Sequence, residues 1–68
     1  MATANNIGEN IKKHRTKLGL SQEDFAQKSG VKYTTLTKIE SGVIKTPSVV
    51  LVARIAKALS ISIEELIK

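Results

Sequence analysis

Tyr33, Thr34, Thr37, Lys38 and Ser41 are the residues of this chain whose types and spacing could do chemistry. At about 100° per residue they share one side of a helix, with Leu36 and Ile39 on the other side and Thr35 at the edge. The resulting face carries hydroxyls, one aromatic ring and one cation, and no carboxylate. Such a face suits the edges of base pairs in a major groove. Threonine methyls can meet thymine methyls, hydroxyls can accept or donate, and a lysine can reach guanine O6 and N7. On an isolated helix the same residues would equally well make an ordinary polar surface, so the neighbouring residues decide.

Lys32 stands at the N-cap of that helix, where Ser, Thr or Asp is worth about 1 kcal/mol more. A cation there also opposes the helix dipole. A residue unfavourable to local stability often has a function, and a phosphate beside this helix end would supply one. The alternative is a tolerated lysine with its head in water. Gln22 opens the preceding helix, where free backbone N–H groups form a ready anion site; otherwise it is an ordinary first-turn residue. Arg15 and Glu40 can pair if the first helix packs behind these two, with Arg15 also facing a phosphate. As surface decoration the pair would contribute little.

Nothing points to catalysis. His14, the one histidine, falls on an apolar stripe and reads as a half-buried edge residue, or else as a phosphate contact. One histidine without cysteine cannot assemble a common zinc site. His14, Asp24 and a serine have no triad-like spacing, and no nucleophile-elbow glycines flank a serine. No enzyme, metal or cofactor is expected. The absence of cysteine also removes disulfides and thiolate chemistry.

The element that must position these residues is the stretch QEDFAQKSGVKYTTLTKIES, Gln22 to Ser41. It reads as two short helices set at a sharp angle by one turn. Phe25 and Ala26 face inward from one helix, Leu36 and Ile39 from the other, and Ala26 must be small for the second helix to cross close by. Gly30 stops the first of the two at a position asking for positive φ, and Val31 plugs the corner. These offsets are what a helix-turn-helix needs to bury its elbow and present its second helix outward.

Around this unit the periodicity is helical throughout, with no strand-like alternation. A first helix is predicted over about Asn6 to Leu18, with Ile7, Ile11 and Leu18 on one stripe and Gly19 ending it, after which Leu20 tucks back. Ser21 reads as an N-cap with Asp24 in a capping-box-like position. The two central helices are predicted over Gln22 to Ser29 and Tyr33 to Ser41, Gly42 stopping the second. Pro47 and Ser48 start a fourth whose inner stripe is Val49, Val52, Ile55, Ala56 and Leu59. Ser62 and Glu65 form another capping box, opening a short fifth helix with Ile63, Leu66 and Ile67. The expectation is an all-α, compact five-helix domain over residues 1–68.

A chain of 68 residues makes one domain with a small core, stable by only a few kcal/mol unless it dimerises. Apolar residues are 41% of it, with one Phe, one Tyr and no Trp, so the core is aliphatic. The polar start MATANNIGEN argues against a signal peptide, and no segment approaches the roughly 20 apolar residues of a membrane span. A cytoplasmic location is the natural expectation. The formal charge is +5, and residues 1–20 carry Lys12, Lys13, Arg15 and Lys17 against Glu9 alone. That excess favours a polyanion (DNA, RNA or an acidic membrane surface), although net charges of about 2 to 8 are ordinary for small domains.

The chain closely resembles the phage repressor and Cro-type helix-turn-helix family, also called the xenobiotic-response-element or XRE family. The resemblance runs through IGENIKKHRTKLGLSQEDFAQKSGV, TLTKIESG, PS, IAKAL and SIEEL. It implies a lambda-repressor-like fold of five helices, the second and third forming the DNA-binding unit, and homodimers on palindromic operators. By matching positions it implies that Gln22 touches the DNA backbone, and that Tyr33, Thr34 and Lys38 fall at base-reading positions with Thr37 beside them. It makes Arg15 and Glu40 a buried-edge salt bridge and puts Ser41, Lys45 and Thr46 where phosphates are followed.

Three departures stand out. Lys32 replaces the usual capping hydroxyl, and Ser60 stands where a glycine often follows the fourth helix. Val50 and Leu51 occupy positions that are often polar in relatives; Val50 shares a face with Arg54 and Lys57 and should be exposed. With Val43, Ile44, Ile61 and Ile67 they form a candidate self-association patch, or scattered exposed aliphatics of the ordinary kind. The expected function is sequence-specific binding of double-stranded DNA by a transcriptional regulator, most plausibly a homodimeric repressor on an inverted repeat. The competing expectation keeps the fold as a protein-interaction module, such as the antitoxin of a toxin–antitoxin pair. A restriction–modification controller is a further variant.

Overall fold

The computed structural model describes residues 7–67. It contains α1 (Ile7–Lys17), α2 (Gln22–Ser29), α3 (Tyr33–Ser41), α4 (Val49–Leu59) and α5 (Ile63–Ile67), with no strand among the described residues. The expected start of the first helix at Asn6 lies outside them.

Serines start three of these helices. The Ser21 hydroxyl accepts from the Asp24 amide at 3.0 Å, Ser48 from Leu51 at 3.2 Å and Ser62 from Glu65 at 3.3 Å. Each satisfies an amide that would otherwise lack a helical partner. Lys32 caps α3 with no side-chain hydrogen bond, as its chemistry requires. Gly30 closes α2 at φ 76°, a left-handed position open to glycine at little cost. Ser60 closes α4 at φ 60°, ψ 39°, the only non-glycine residue with positive φ among those described. The departure noted there is therefore a real backbone cost, about 1–2 kcal/mol for an ordinary L-residue.

The core is aliphatic around one ring. Phe25, Ile11, Leu36, Ile39, Ile55 and Leu66 are fully buried, joined by Ile7, Ala26, Val31, Val52, Ala56 and Leu59. α1 packs on α3 and α5, α2 on α3 and α4, and α4 on α5, so α3 is backed by α1 and α2 together. Asn10 ties α1 to α5 by donating to the Leu66 carbonyl at 2.7 Å.

Several expectations about facing are corrected. α1 stops at Lys17, and Leu18 is 50% exposed. It sits in the turn, where its amide reaches both the His14 and Arg15 carbonyls and helical phase no longer applies. Val49 is 77% exposed although its wheel position matches Val52. It is the first residue of α4 and overhangs the end of the core. Of the three apolar residues of α5 only Leu66 is buried; Ile63 and Ile67 are 39% and 46% exposed. His14 is half-buried and Leu20 packs against the core from the side.

Candidate nucleic-acid interface

α3 is held by its inner face and displayed by its outer one. Leu36 and Ile39 have no exposed surface, and Ala26 on α2 is 7% exposed where the helices approach. Outward stand Tyr33, Thr34, Lys38 and Ser41, all exposed, with Thr37 half-buried beside them. The Thr37 hydroxyl donates to the Thr34 carbonyl at 2.8 Å, and the Ser41 hydroxyl to the Lys38 carbonyl at 3.2 Å. Their protons are therefore committed to the helix, and what they offer outward is an acceptor lone pair. An acceptor suits the amino groups of adenine and cytosine. Lys38 supplies the complementary donor.

One carboxylate joins the three helices behind this face. Arg15 grips Glu40 with two donors, Nε to Oε2 at 2.9 Å and the second terminal nitrogen to Oε1 at 3.1 Å. Its remaining terminal nitrogen donates to the Leu20 carbonyl at 2.7 Å. Gln22 donates from Nε2 to Glu40 Oε1 at 3.0 Å. The side chains of Arg15 and Glu40 are 9% and 4% exposed, so this is a buried pair with its hydrogen bonds met. Arg15 was expected to pair with Glu40 and also to face a phosphate. Three of its five N–H donors go to Glu40 and Leu20, which makes it a positioning residue for the end of α3. Gln22 was expected as a phosphate contact alone, yet it also orients the end of α3. The missed signal was the pairing of an amide donor at the start of α2 with a carboxylate near the end of α3.

The remaining candidates are spread along the chain at both ends of α3. Lys32 is exposed at its start. After its end, the Ile44 amide donates to the Lys38 carbonyl at 3.0 Å, fixing the loop from which exposed Lys45 and Thr46 project. The structure thus gathers Tyr33, Thr34, Thr37, Lys38 and Ser41 on one helix face, with Gln22 on the Glu40 side and Lys45 and Thr46 on the loop beyond.

The apolar patch divides. Val43, Val50 and Ile67 are exposed, but Ile44, Leu51 and Ile61 are partly spent against the core. Two residues not foreseen there, Val49 and Ile63, are exposed and line one groove of about 270 Å³ with Ile7, Pro47, Val52 and Ile67, and with Lys45 and Thr46 at its rim on the loop after α3. Val50 does not line it.

A buried elbow, a recognition-type helix turned outward and a polar network holding its far end define a helix-turn-helix regulator fold. Residues 11–66 match the family model described as Helix-turn-helix, and the chain belongs to that family. Its members among the relatives below are transcriptional regulators, not enzymes. The chain is 45% identical over 49 residues, 72% of its length and 70% of the relative's, to an uncharacterized HTH-type transcriptional regulator of Methanothermobacter thermautotrophicus. It is 31% identical over 61 residues to the HTH-type transcriptional regulator SinR of Bacillus subtilis, covering 90% of this chain and 55% of SinR. Among solved structures it is similar to SinR, the master regulator for biofilm formation, in complex with DNA. The TM-score there is 0.88 at 31% identity, over 91% of this chain and 98% of that one. The restriction-modification controller protein C.AhdI of Aeromonas hydrophila superposes with TM-score 0.83 at 34% identity, over 90% and 91% of the two chains. No helix of the described residues is long and apolar enough to cross a membrane.

Proposed function

We propose that this chain is a sequence-specific double-stranded DNA-binding transcriptional regulator, a cytoplasmic repressor acting as a homodimer on an inverted-repeat operator. Residues 1–68 serve as its DNA-binding domain. The observation that carries the reading is the outer face of α3: acceptor hydroxyls, Tyr33 and Lys38, with no carboxylate, on a helix fixed at its far end by Arg15, Glu40 and Gln22. The likeness to SinR in complex with DNA supports it. Tyr33, Thr34, Thr37 and Lys38 read base edges. Gln22, Lys32, Lys45 and Thr46 follow phosphates, as does Ser41 once its hydroxyl turns from the Lys38 carbonyl to donate, and Arg15 acts through Glu40. Two subunits place their third helices in successive major grooves about 34–36 Å apart. The likeness to C.AhdI favours, as a second reading, a restriction–modification controller using the same surface.

Selection from a randomised duplex library at about 0.15 M salt, close to physiological ionic strength, tests this. Enrichment of an inverted repeat is expected. Weak, salt-sensitive retention of all sequences alike would leave charge-driven binding only and move the assignment to a protein-interaction module.

A further inference from the structure

The basic excess of the first 20 residues is not accounted for by the interface described above. Of its four cations, Arg15 is spent inside the fold, whereas Lys12, Lys13 and Lys17 are exposed. None of the three makes an ion pair with a described residue. Their placement on α1 is specific. Gly8 and Arg15 lie against α3, and Lys12 and Thr16 come next around the helix, on the side towards Glu40. Lys12, Lys13, Thr16 and Glu9 line a shallow groove whose opposite wall is Glu40, the residue that also holds Gln22. The groove therefore runs beside the last turn of α3 and adjoins the residues that meet the nucleic-acid backbone in the proposed function.

Charge decides what the groove fits. The Glu40 carboxylate is matched by Arg15. Glu9 is exposed in the first turn of α1, where the helix dipole favours a carboxylate. Two lysines against one carboxylate leave a net cation, and Lys17 lies one turn beyond Lys13. The Thr16 hydroxyl is bonded to the Lys12 and Lys13 carbonyls at 2.9 Å each, so its proton is not directed into the groove. What the wall offers is ammonium donors, the point charges that suit phosphate oxygens rather than base edges.

We propose that this wall of α1 is a second phosphate-binding track, in which Lys12 and Lys13 hold the DNA backbone just beyond the segment held by Gln22. The proposal rests on the reading of the chain as a duplex-binding protein. It extends the footprint of each subunit outward by the width of α1. Glu9 is the repulsive element of the track, so its neutralisation strengthens binding.

The test compares two double variants of equal net charge on a short mixed-sequence DNA duplex, with affinity measured across a range of salt concentrations. K12Q/K13Q removes the track. K28Q/K57Q removes two exposed lysines from a separate groove between α2 and α4. The track predicts that K12Q/K13Q lowers the slope of log affinity against log salt by about two, while K28Q/K57Q leaves it near the wild-type value. E9Q should tighten binding about two- to fivefold at low salt. Equal losses in both double variants would mean that only net charge matters and would overturn the track, even if the wild type still selects an inverted repeat. Failure of the wild-type chain to bind duplex at all would instead overturn the function on which it rests. Circular dichroism melts of all three variants separate binding losses from unfolding; they are expected within a few degrees of the wild type, since Glu9, Lys28 and Lys57 each give up only a favourable helix-dipole interaction.

Discussion

Gly8 crosses α3 so closely that a Cβ placed on it would lie within hard contact of the Ile39 carbonyl oxygen, and 3.0 Å from that of Glu40. The obstructing atoms are backbone and cannot swing aside. This contact, more than any side chain, sets the distance between α1 and α3. It thereby sets where Arg15 meets Glu40.

Replacing Gly8 with alanine therefore has a predictable sign. Helix propensity alone would favour alanine by about 1 kcal/mol. Forcing two helices apart costs typically about 1–3 kcal/mol, and disturbance of the Arg15–Glu40 pair adds to it. Steric cost should win, and at roughly 4–8 °C per kcal/mol for a chain of this size the melting temperature should fall by about 5–10 °C. A rise on thermal unfolding would show that the helices relax apart freely.

Arg15 and Glu40 form a double-mutant test of the same framework. Removing one partner leaves a buried charge unmatched, at about 3–5 kcal/mol. For a domain this small that is most of its stability. Arg15→Met or Glu40→Leu alone should leave the chain largely unfolded by urea titration. The combined variant should recover much of the loss, because two apolar groups replace two charges together. A cost below about 1 kcal/mol for Arg15→Met would mark the pair as surface-like.

The parts of this design that were legible in the sequence were those fixed locally. Ser21, Ser48 and Ser62 cap through their own hydroxyls, and Gly30 and Gly42 end helices through their own backbone freedom. Helix limits and the elbow of Phe25, Ala26, Leu36 and Ile39 followed from such signals. Less legible were features that depend on how far a helix overhangs its neighbours. Val49 has the right phase for the core but begins α4 beyond its edge. Leu18 has the right phase for a helix that has already ended. Gly8 carries no periodic signal, since its role is to have no side chain. The sharing of Glu40 between Arg15 and Gln22 needs three helices in place before it exists.

Self-association, where it occurs, should follow the groove rather than the wheel. Val49 and Ile63 line the apolar groove, whereas Val50 lies outside it. Burying a valine fully is worth at least about 1.5 kcal/mol, counted once in each copy of a symmetric dimer. Val49→Glu should accordingly shift sedimentation towards the monomer and lower affinity for a two-half-site duplex. Val50→Glu should do so much less. Equal effects from both would place the interface across a wider patch that adds Val43 and Val50 to the groove.

Lys32 sets stability against binding at one residue. It begins α3 with an extended backbone, φ −61° and ψ 140°, suited to an N-cap, yet supplies no acceptor for the free amides that follow. Lys32→Ser would provide one and remove a cation from the positive end of the helix dipole. Both effects stabilise, together by about 1 kcal/mol. The same substitution removes a charge that can meet phosphate at the helix end, so it should lower the salt dependence of duplex binding by about one contact. Measured on the same preparation, a higher melting temperature and a weaker, flatter salt response are expected together. A more stable variant with unchanged binding would make Lys32 a solvated lysine with no part in the interface.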